Sequence, residues 1–346
     1  MKKFKQFVAS LLAVIMVFGL MPVAALAEEP FIWSEQPAAE QPADEALEES
    51  AEPAIGEIAF DEGTAEDAQE VAAQAASSFL RIFHLDCGRK YFSVSEIEGI
   101  IDQLAENHFT HIQLAFGNDG FRFLLNDMSL EANGNTYASD NVKSAIKSGN
   151  TATTSRSSGE LSEEEMDTII AYANEKGISV IPMLNAPGHM STIVKAMGTL
   201  GVSSKYINAT GSVLYDGRTT NYAIDPTDEK AVNFVKALVT KYVQYFAGKG
   251  CTMFNIGADE SGLSTSNYLS YAKFVNALAD VVKGGKMTTL AYNDGIYNTK
   301  YSDALGDYEF STDIVICYWT SDNSAPASDL AAKGFKILNN TNDWYY

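Results

Sequence analysis

The sequence predicts an α/β fold, a parallel sheet closed into a (β/α)8 TIM barrel, and three observations predict it. Short apolar segments alternate with amphipathic ones over about 270 residues. Polar residues cluster just after the carboxyl ends of the apolar segments, the rim on which barrel enzymes assemble their sites. No G-x-G-x-x-G follows the first strand and no G-x-x-x-x-G-K-[ST] occurs, so an open nucleotide-binding sheet loses its best support.

The elements follow in order. Phe79–Leu85 is a short apolar strand. Val94–Asn107 is a helix with Ile97, Ile100, Ile101 and Leu104 at helical spacing, and Ser95 and Glu98 are placed as a capping box at its start. His111–Phe116 is a strand, Ser162–Lys176 a helix stopped by Gly177, and Ile178–Leu184 a strand. Asp228–Phe246 is a helix with Val232, Val235, Val239, Tyr242 and Phe246 on one stripe, and Thr252–Ile256 is a strand. Helix Tyr268–Val282, strands Met287–Tyr292 and Ile314–Tyr318, helix Leu330–Lys333 and strand Phe335–Leu338 bring the count to seven strands. Asn126–Leu161 is polar with little periodicity and reads as an irregular insertion on the rim, either a lid or a surface ornament.

Charge divides the chain into three regimes within a net −21: residues 1–27 carry three lysines and no acid, Glu28 to Leu80 fifteen acids and no base, and the remainder thirty acids against twenty-one bases. Lys2, Lys3 and Lys5 precede an apolar run from Phe7 to about Leu20, then Ala25-Leu26-Ala27, the pattern of a cleaved secretory signal, with an uncleaved anchor as the alternative. Residues 28–78, rich in Ala, Glu, Pro and Gln, cannot bury enough apolar surface to offset the entropy of ordering and read as a flexible acidic linker. The folded domain is therefore expected at 79–346, exported, with no membrane span once the signal is removed. Without clustered Lys and Arg, nucleic acid is excluded as a partner. Cys87, Cys251 and Cys317 are widely spaced and odd in number, so they read as buried thiols, neither a disulfide framework nor a metal site. No cofactor or metal is implied.

On the rim, Asp86 and Arg89 follow the first strand, Asn118 and Asp119 the second, Asn185 and His189 the third. Asp259 and Glu260 follow the fourth, Asn293 and Asp294 the fifth, and Trp319 the sixth. The sharpest motif is Phe254-Asn255-Ile256-Gly257-Ala258-Asp259-Glu260, a strand, two small residues and adjacent carboxylates that can face different parts of one ligand.

Seven ordered segments carry a family resemblance: His84 to Phe92, Asn118 to Arg122, Pro187-Gly188-His189, Ile224-Asp225-Pro226, Gly257 to Glu260, Tyr292 to Gly295, and Trp344-Tyr345-Tyr346. Together they resemble glycoside hydrolase family 20, the β-N-acetylhexosaminidases and lacto-N-biosidases, and look most like the bacterial surface hexosaminidases. The resemblance implies substrate-assisted hydrolysis of β-linked GlcNAc or GalNAc glycans, in which the sugar's own acetamide is the nucleophile. It makes Glu260 the general acid and base, with a pKa raised by burial and by the ionised Asp259. Asp259 becomes the group that orients the acetamide. Arg89 would hold sugar hydroxyls, with a salt bridge to Asp86 or another rim acid as the alternative, and Asp119 and His189 would orient or tune the acid. Trp319, Trp344, Tyr292 and Asp294 would line or hold the sugar pocket, with Tyr345, or else Tyr346, gripping the acetamide oxygen, and Tyr292 standing where many relatives carry Trp. The resemblance also leads one to expect an eighth strand beyond strand seven, in a longer coding sequence that includes any surface attachment. A lacto-N-biosidase and a catalytically inactive glycan-binding barrel are the other readings.

Overall fold

The computed structural model describes residues 79–153, 158–208 and 222–341. The signal and linker segments, and with them Trp344, Tyr345 and Tyr346, lie outside the described residues.

Strands β1 (Ile82–Leu85) and β2 (His111–Asn118) are joined by helix α1 (Val94–Glu106). Ser93 and Glu96 form the capping box, two residues before the expected pair. Val94 is already helical, so Ser95 falls inside the first turn, whereas Ser93 has the extended backbone a cap requires.

After β2 come the two-residue β3 (Gly120–Phe121), the hairpin β4 (Leu130–Ala132) and β5 (Asn135–Tyr137), and helices α2 (Ser139–Thr153) and α3 (Glu163–Glu175). The insertion is thus largely ordered, contrary to its composition. Helix α2 buries Val142, Ala145, Ile146, Gly149, Asn150 and Thr153, a helical spacing filled mostly by small or polar residues that hydrophobicity does not register. It packs on α4 (Ser191–Thr199), which follows β6 (Ser179–Ala186). A Cβ on Gly149 would stand 2.6 Å from the Thr192 carbonyl oxygen, so glycine permits this approach. Asn150 brackets Phe121, taking its N–H and giving to its carbonyl at 2.8 Å each.

The hairpin β7 (Tyr206–Asn208) and β8 (Tyr222–Ile224) precedes α5 (Glu229–Gly248), capped by Asp228. Then follow β9 (Met253–Gly257), α6 (Tyr268–Gly284), β10 (Thr288–Tyr292), a 3-10 turn at Ser302–Leu305, β11 (Val315–Tyr318), α7 (Ala327–Ala332) and β12 (Lys336–Asn339). Helix α7 begins three residues earlier than the sequence predicts.

The main sheet runs β1-β2-β6-β9-β10-β11-β12, every pair parallel, with β3 antiparallel on β2. Its order is its chain order. A doubly wound sheet reverses at a switch point, whereas winding in one direction puts the helices on one face and curls the other face inward. The curl appears in contacts that skip strands: Asn255 on β9 donates to Gln113 on β2 at 2.9 Å, and Ile181, Leu290 and Cys317 from β6, β10 and β11 form one inner cluster. The outer core between sheet and helices is larger and centres on Phe116, ringed by Phe121, Phe123, Tyr242 and Phe246 at centroid distances of 4.9 to 5.7 Å. The seven parallel strands are those of a (β/α)8 barrel, with β1 and β12 as the edges among the described residues. No helix of the described residues is long and apolar enough to cross a membrane. Cys87 and Cys317 are buried thiols and Cys251 is half-buried.

Candidate active site

Strand β9 delivers the adjacent acids through a left-handed turn. Gly257, Ala258 and Glu260 have φ of 74°, 67° and 42°, and on the neighbouring loops Asp119 and His189 have φ of 56° and 50°. Non-glycine residues hold such angles only where their surroundings over-determine them. Those surroundings are specific. The Tyr271 hydroxyl donates to the Ala258 carbonyl at 2.6 Å and the Ser261 hydroxyl to the Asp259 carbonyl at 3.0 Å. A side chain at Gly257 would collide with Asn185, and one at Gly188 with the Asp259 carbonyl oxygen.

The two carboxylates have different partners. Asn185 Nδ2, at the end of β6, donates to Asp259 Oδ1 at 2.5 Å and to Asn118 Oδ1 at 3.2 Å. Asn185 is buried, and its own Oδ1 has no hydrogen-bond partner among the described residues, so what Nδ2 donates to sets the amide's orientation. Glu260 Oε2 lies 3.0 Å from His189 Nε2, while Asp259 Oδ2 is 3.9 Å from the same nitrogen. The Asp259 side chain is 16% exposed and that of Glu260 50%. One acid is therefore sheltered and fixed, and the other faces the opening.

Behind them runs a chain of charge. His189 Nδ1 is 3.2 Å from Asp119 Oδ2 and 3.0 Å from Arg89 Nη2. Arg89 Nε and Nη2 donate to Asp119 Oδ2 at 2.9 and 2.7 Å, and Nη1 pairs with Asp86 at 2.7 Å. Ser191 Oγ donates to Asp119 Oδ1 at 2.7 Å. Burial alone would lower the His189 pKa, but the Asp259 charge and the hydrogen bonds to Asp119 and Glu260 overturn that and push it up to about 10. Burial would likewise raise Asp119, yet the His189 hydrogen bond and the Arg89 charge hold it well below the usual carboxylate range. Arg89 also loses solvation on burial, and Asp86 and Asp119 more than restore its charge.

Glu260 departs from the sequence expectation. The His189 hydrogen bond lowers its pKa against the opposing effect of burial, because the half-exposed carboxylate is desolvated too little for burial to win. Arg89, expected on sugar hydroxyls, makes both rim ion pairs, with its side chain 38% exposed.

Around the acids, Trp319 follows β11, the residue 37% exposed, with its indole N–H donated to Asp294 Oδ1 at 3.2 Å. Asp294 Oδ2 accepts the backbone N–H of Glu260 at 2.8 Å. Burial, reinforced by the charge of Asp259, raises the Asp294 pKa to about 7. Tyr292 packs against the inner cluster, its hydroxyl 4.0 Å from the Met183 sulfur, which places it below the acids. Its hydroxyl pKa is raised by burial and then by the Asp259 charge. The structure thus brings together Arg89, Asp119, His189, Asp259, Glu260, Tyr292, Asp294 and Trp319. Asn185 and Ser191 join the site beyond the sequence expectation: the sequence gives Asn185 a rim position without a role, and the only signal for it there is its place on the strand before Pro187-Gly188-His189.

Comparison with known proteins gives a consistent picture. The profile of glycosyl hydrolase family 20, catalytic domain, matches residues 80–346. A solved structure of the pneumococcal virulence factor StrH, concerned with N-glycan recognition and hydrolysis, superimposes with a TM-score of 0.69 at 35% identity, covering 79% of this chain and 67% of that one. A second StrH structure, of tandem family 20 modules in that exo-β-D-N-acetylglucosaminidase, has the same TM-score and identity and covers 78% and 66%. The lacto-N-biosidase of Bifidobacterium bifidum is 28% identical over 203 residues, 53% of this chain and 16% of that protein. The β-hexosaminidase of Vibrio furnissii is 31% identical over 114 residues, 33% of this chain and 18% of that protein. The matched parts thus span less than a fifth of these two curated relatives. With the profile running across the whole seven-stranded sheet and the paired acids at the end of β9, the chain belongs to glycosyl hydrolase family 20 and carries its catalytic domain.

Proposed function

We propose that this protein is a retaining exo-β-N-acetylhexosaminidase that releases terminal β-linked GlcNAc or GalNAc from glycans by substrate-assisted catalysis. The observation that carries it is the separate anchoring of two adjacent carboxylates, Asp259 by Asn185 and Glu260 by His189. The acetamide carbonyl oxygen attacks the anomeric carbon as the bond to the leaving oxygen breaks, and Glu260 gives that oxygen a proton. Asp259, sheltered and held by Asn185, accepts the acetamide N–H and stabilises the positive charge of the oxazolinium-like intermediate. Water then attacks the anomeric carbon and displaces the acetamide oxygen from it, which restores the N-acetyl group, while Glu260 takes the water's proton, and the sugar leaves with retained configuration.

The protonation state follows from the relay. His189 and Glu260 in contact hold one proton between them, and with the site open it rests on His189. A bound sugar covers the exposed Glu260 carboxylate, removes water from it and so favours the neutral acid. Trp319 presents an aromatic face at the opening, suited to the apolar side of a pyranose ring or to the acetamide methyl. Arg89 and Tyr292 supply the charged and apolar sides of the pocket. Residues 1–27 direct export, 28–78 serve as a linker, and the glycans acted on are extracellular.

The test is hydrolysis of p-nitrophenyl β-GlcNAc by the purified protein, with inhibition by a thiazoline mimic of the intermediate. Glu260→Gln is expected to lose about 100-fold or more of kcat, the range for removing a general acid. Equal rates on β-glucoside and β-GlcNAc aryl glycosides would exclude acetamide participation. Cleavage confined to an aryl lacto-N-bioside would move the assignment to lacto-N-biosidase, and glycan binding without turnover to a binding barrel.

A further inference from the structure

Asp294 is a partly buried carboxylate whose two oxygens meet two neutral donors and, among the described residues, no cation. Oδ2 takes the backbone N–H of Glu260 at 2.8 Å and Oδ1 the indole N–H of Trp319 at 3.2 Å. Its own carbonyl accepts from Asn298 Nδ2 at 2.8 Å, and Asn298 N–H in turn donates to the Tyr268 hydroxyl at 2.8 Å, so the turn that presents the carboxylate is itself fixed. The strand-side neighbour Asn293 ties the same two loops, accepting the Trp319 backbone N–H at 2.8 Å and donating to the Thr320 carbonyl at 2.6 Å.

Only a side chain with two acceptor oxygens satisfies this geometry. An asparagine would turn its NH2 toward one of the two N–H groups and lose that bond. The bond to Glu260 matters because that residue sits at φ of 42°, a left-handed conformation for a long side chain, and its amide direction fixes where the carboxyl points. The bond to Trp319 fixes a half-exposed ring at the mouth of the same site. With each oxygen turned to one of these donors, the carboxylate is oriented by the two loops it joins before any sugar arrives.

From this we infer that Asp294 is a positioning residue that locks the aim of Glu260 and the indole of Trp319 into one arrangement, instead of a group that holds the sugar. The inference rests on Glu260 being the proton donor. It follows that loss of Asp294 is felt in the step that needs that proton and little in sugar affinity.

The experiment compares Asp294→Asn with the unchanged protein on two aryl β-GlcNAc substrates. Phenyl is a poor leaving group that needs protonation, and 2,4-dinitrophenyl departs without it. The expected result is a fall of roughly 30-fold or more in kcat/KM for the phenyl glycoside, in keeping with a misaimed general acid. For the dinitrophenyl glycoside kcat/KM, which reports only the steps up to glycosidic cleavage and needs no proton there, should stay within about threefold, as should inhibition by free GlcNAc. An equal fall in kcat/KM on both substrates, or weakened GlcNAc inhibition, overturns the inference in favour of sugar contact. Asp294→Glu, which keeps the charge and displaces the oxygens, is expected to shift the same quantities in the same direction and serves if the asparagine variant does not fold. A second readout does not depend on turnover: the indole N–H resonance of Trp319, identified by its loss in Trp319→Phe, should move upfield in Asp294→Asn. An unmoved resonance overturns the lock even if neither substrate is cleaved, whereas a moved resonance without any hydrolysis sinks the enzymatic reading and leaves the lock standing.

Discussion

His189 shows how a single residue can be legible in identity and illegible in state. Pro187-Gly188-His189 marks it in the sequence, but its charge depends on Asp119, Asp259 and Glu260, which arrive from two other loops. Its pKa is raised from 6.5 to about 10, so the stability it contributes is fully present below pH 6.5 and is lost as pH rises through about 10. We therefore expect the thermal midpoint to fall between pH 7 and pH 10, and this fall to flatten in His189→Gln. The same slope in both proteins, followed by calorimetry, would remove His189 as its source. Glu260 illustrates the converse error. Adjacency to Asp259 suggested a raised pKa, whereas the histidine that opposes it is 71 positions away in sequence.

Among the elements, α1, α3, α5 and α6 are readable because large apolar residues recur at helical spacing, and side-chain caps stand at the starts of α1, α3 and α5. Helix α2 was hidden by its small and polar buried face, and α4 by its position directly behind a site motif. Helix α3 carries three glutamates in its first turn and a capping box in which Ser162 accepts the Glu165 N–H at 3.2 Å and gives its own N–H to Glu165 at 2.8 Å. Ser162→Ala is expected to cost about 1 kcal/mol, read as a shifted urea midpoint without change in the activity of the intact protein. A midpoint that does not move would mean that neighbouring packing, and not the cap, sets the start of α3.

At the scale of the molecule, one-directional winding makes two cores of unequal weight. The outer one, centred on Phe116, carries the packing, and the inner one holds polar groups such as Gln113 and Asn255 beneath the acids. Phe116→Ala removes a fully buried ring with four aromatic neighbours and is expected to destabilise by about 3–5 kcal/mol in urea unfolding. A loss below about 1 kcal/mol would show that the site collapses around the cavity.

By itself the sequence determined the parallel α/β architecture and the positions of Asp259, Glu260, Arg89, Asp119, His189 and Trp319, because hydrophobic periodicity and strand ends are local properties of a chain. Only the tertiary structure decided which oxygen each of these groups faces: that Arg89 is held by two carboxylates, that Asn185 orients Asp259, and that Asp294 joins Glu260 to Trp319. Those pairings join loops far apart in sequence, and hydrogen bonds and Coulomb forces depend on distances of a few ångströms that no residue spacing encodes.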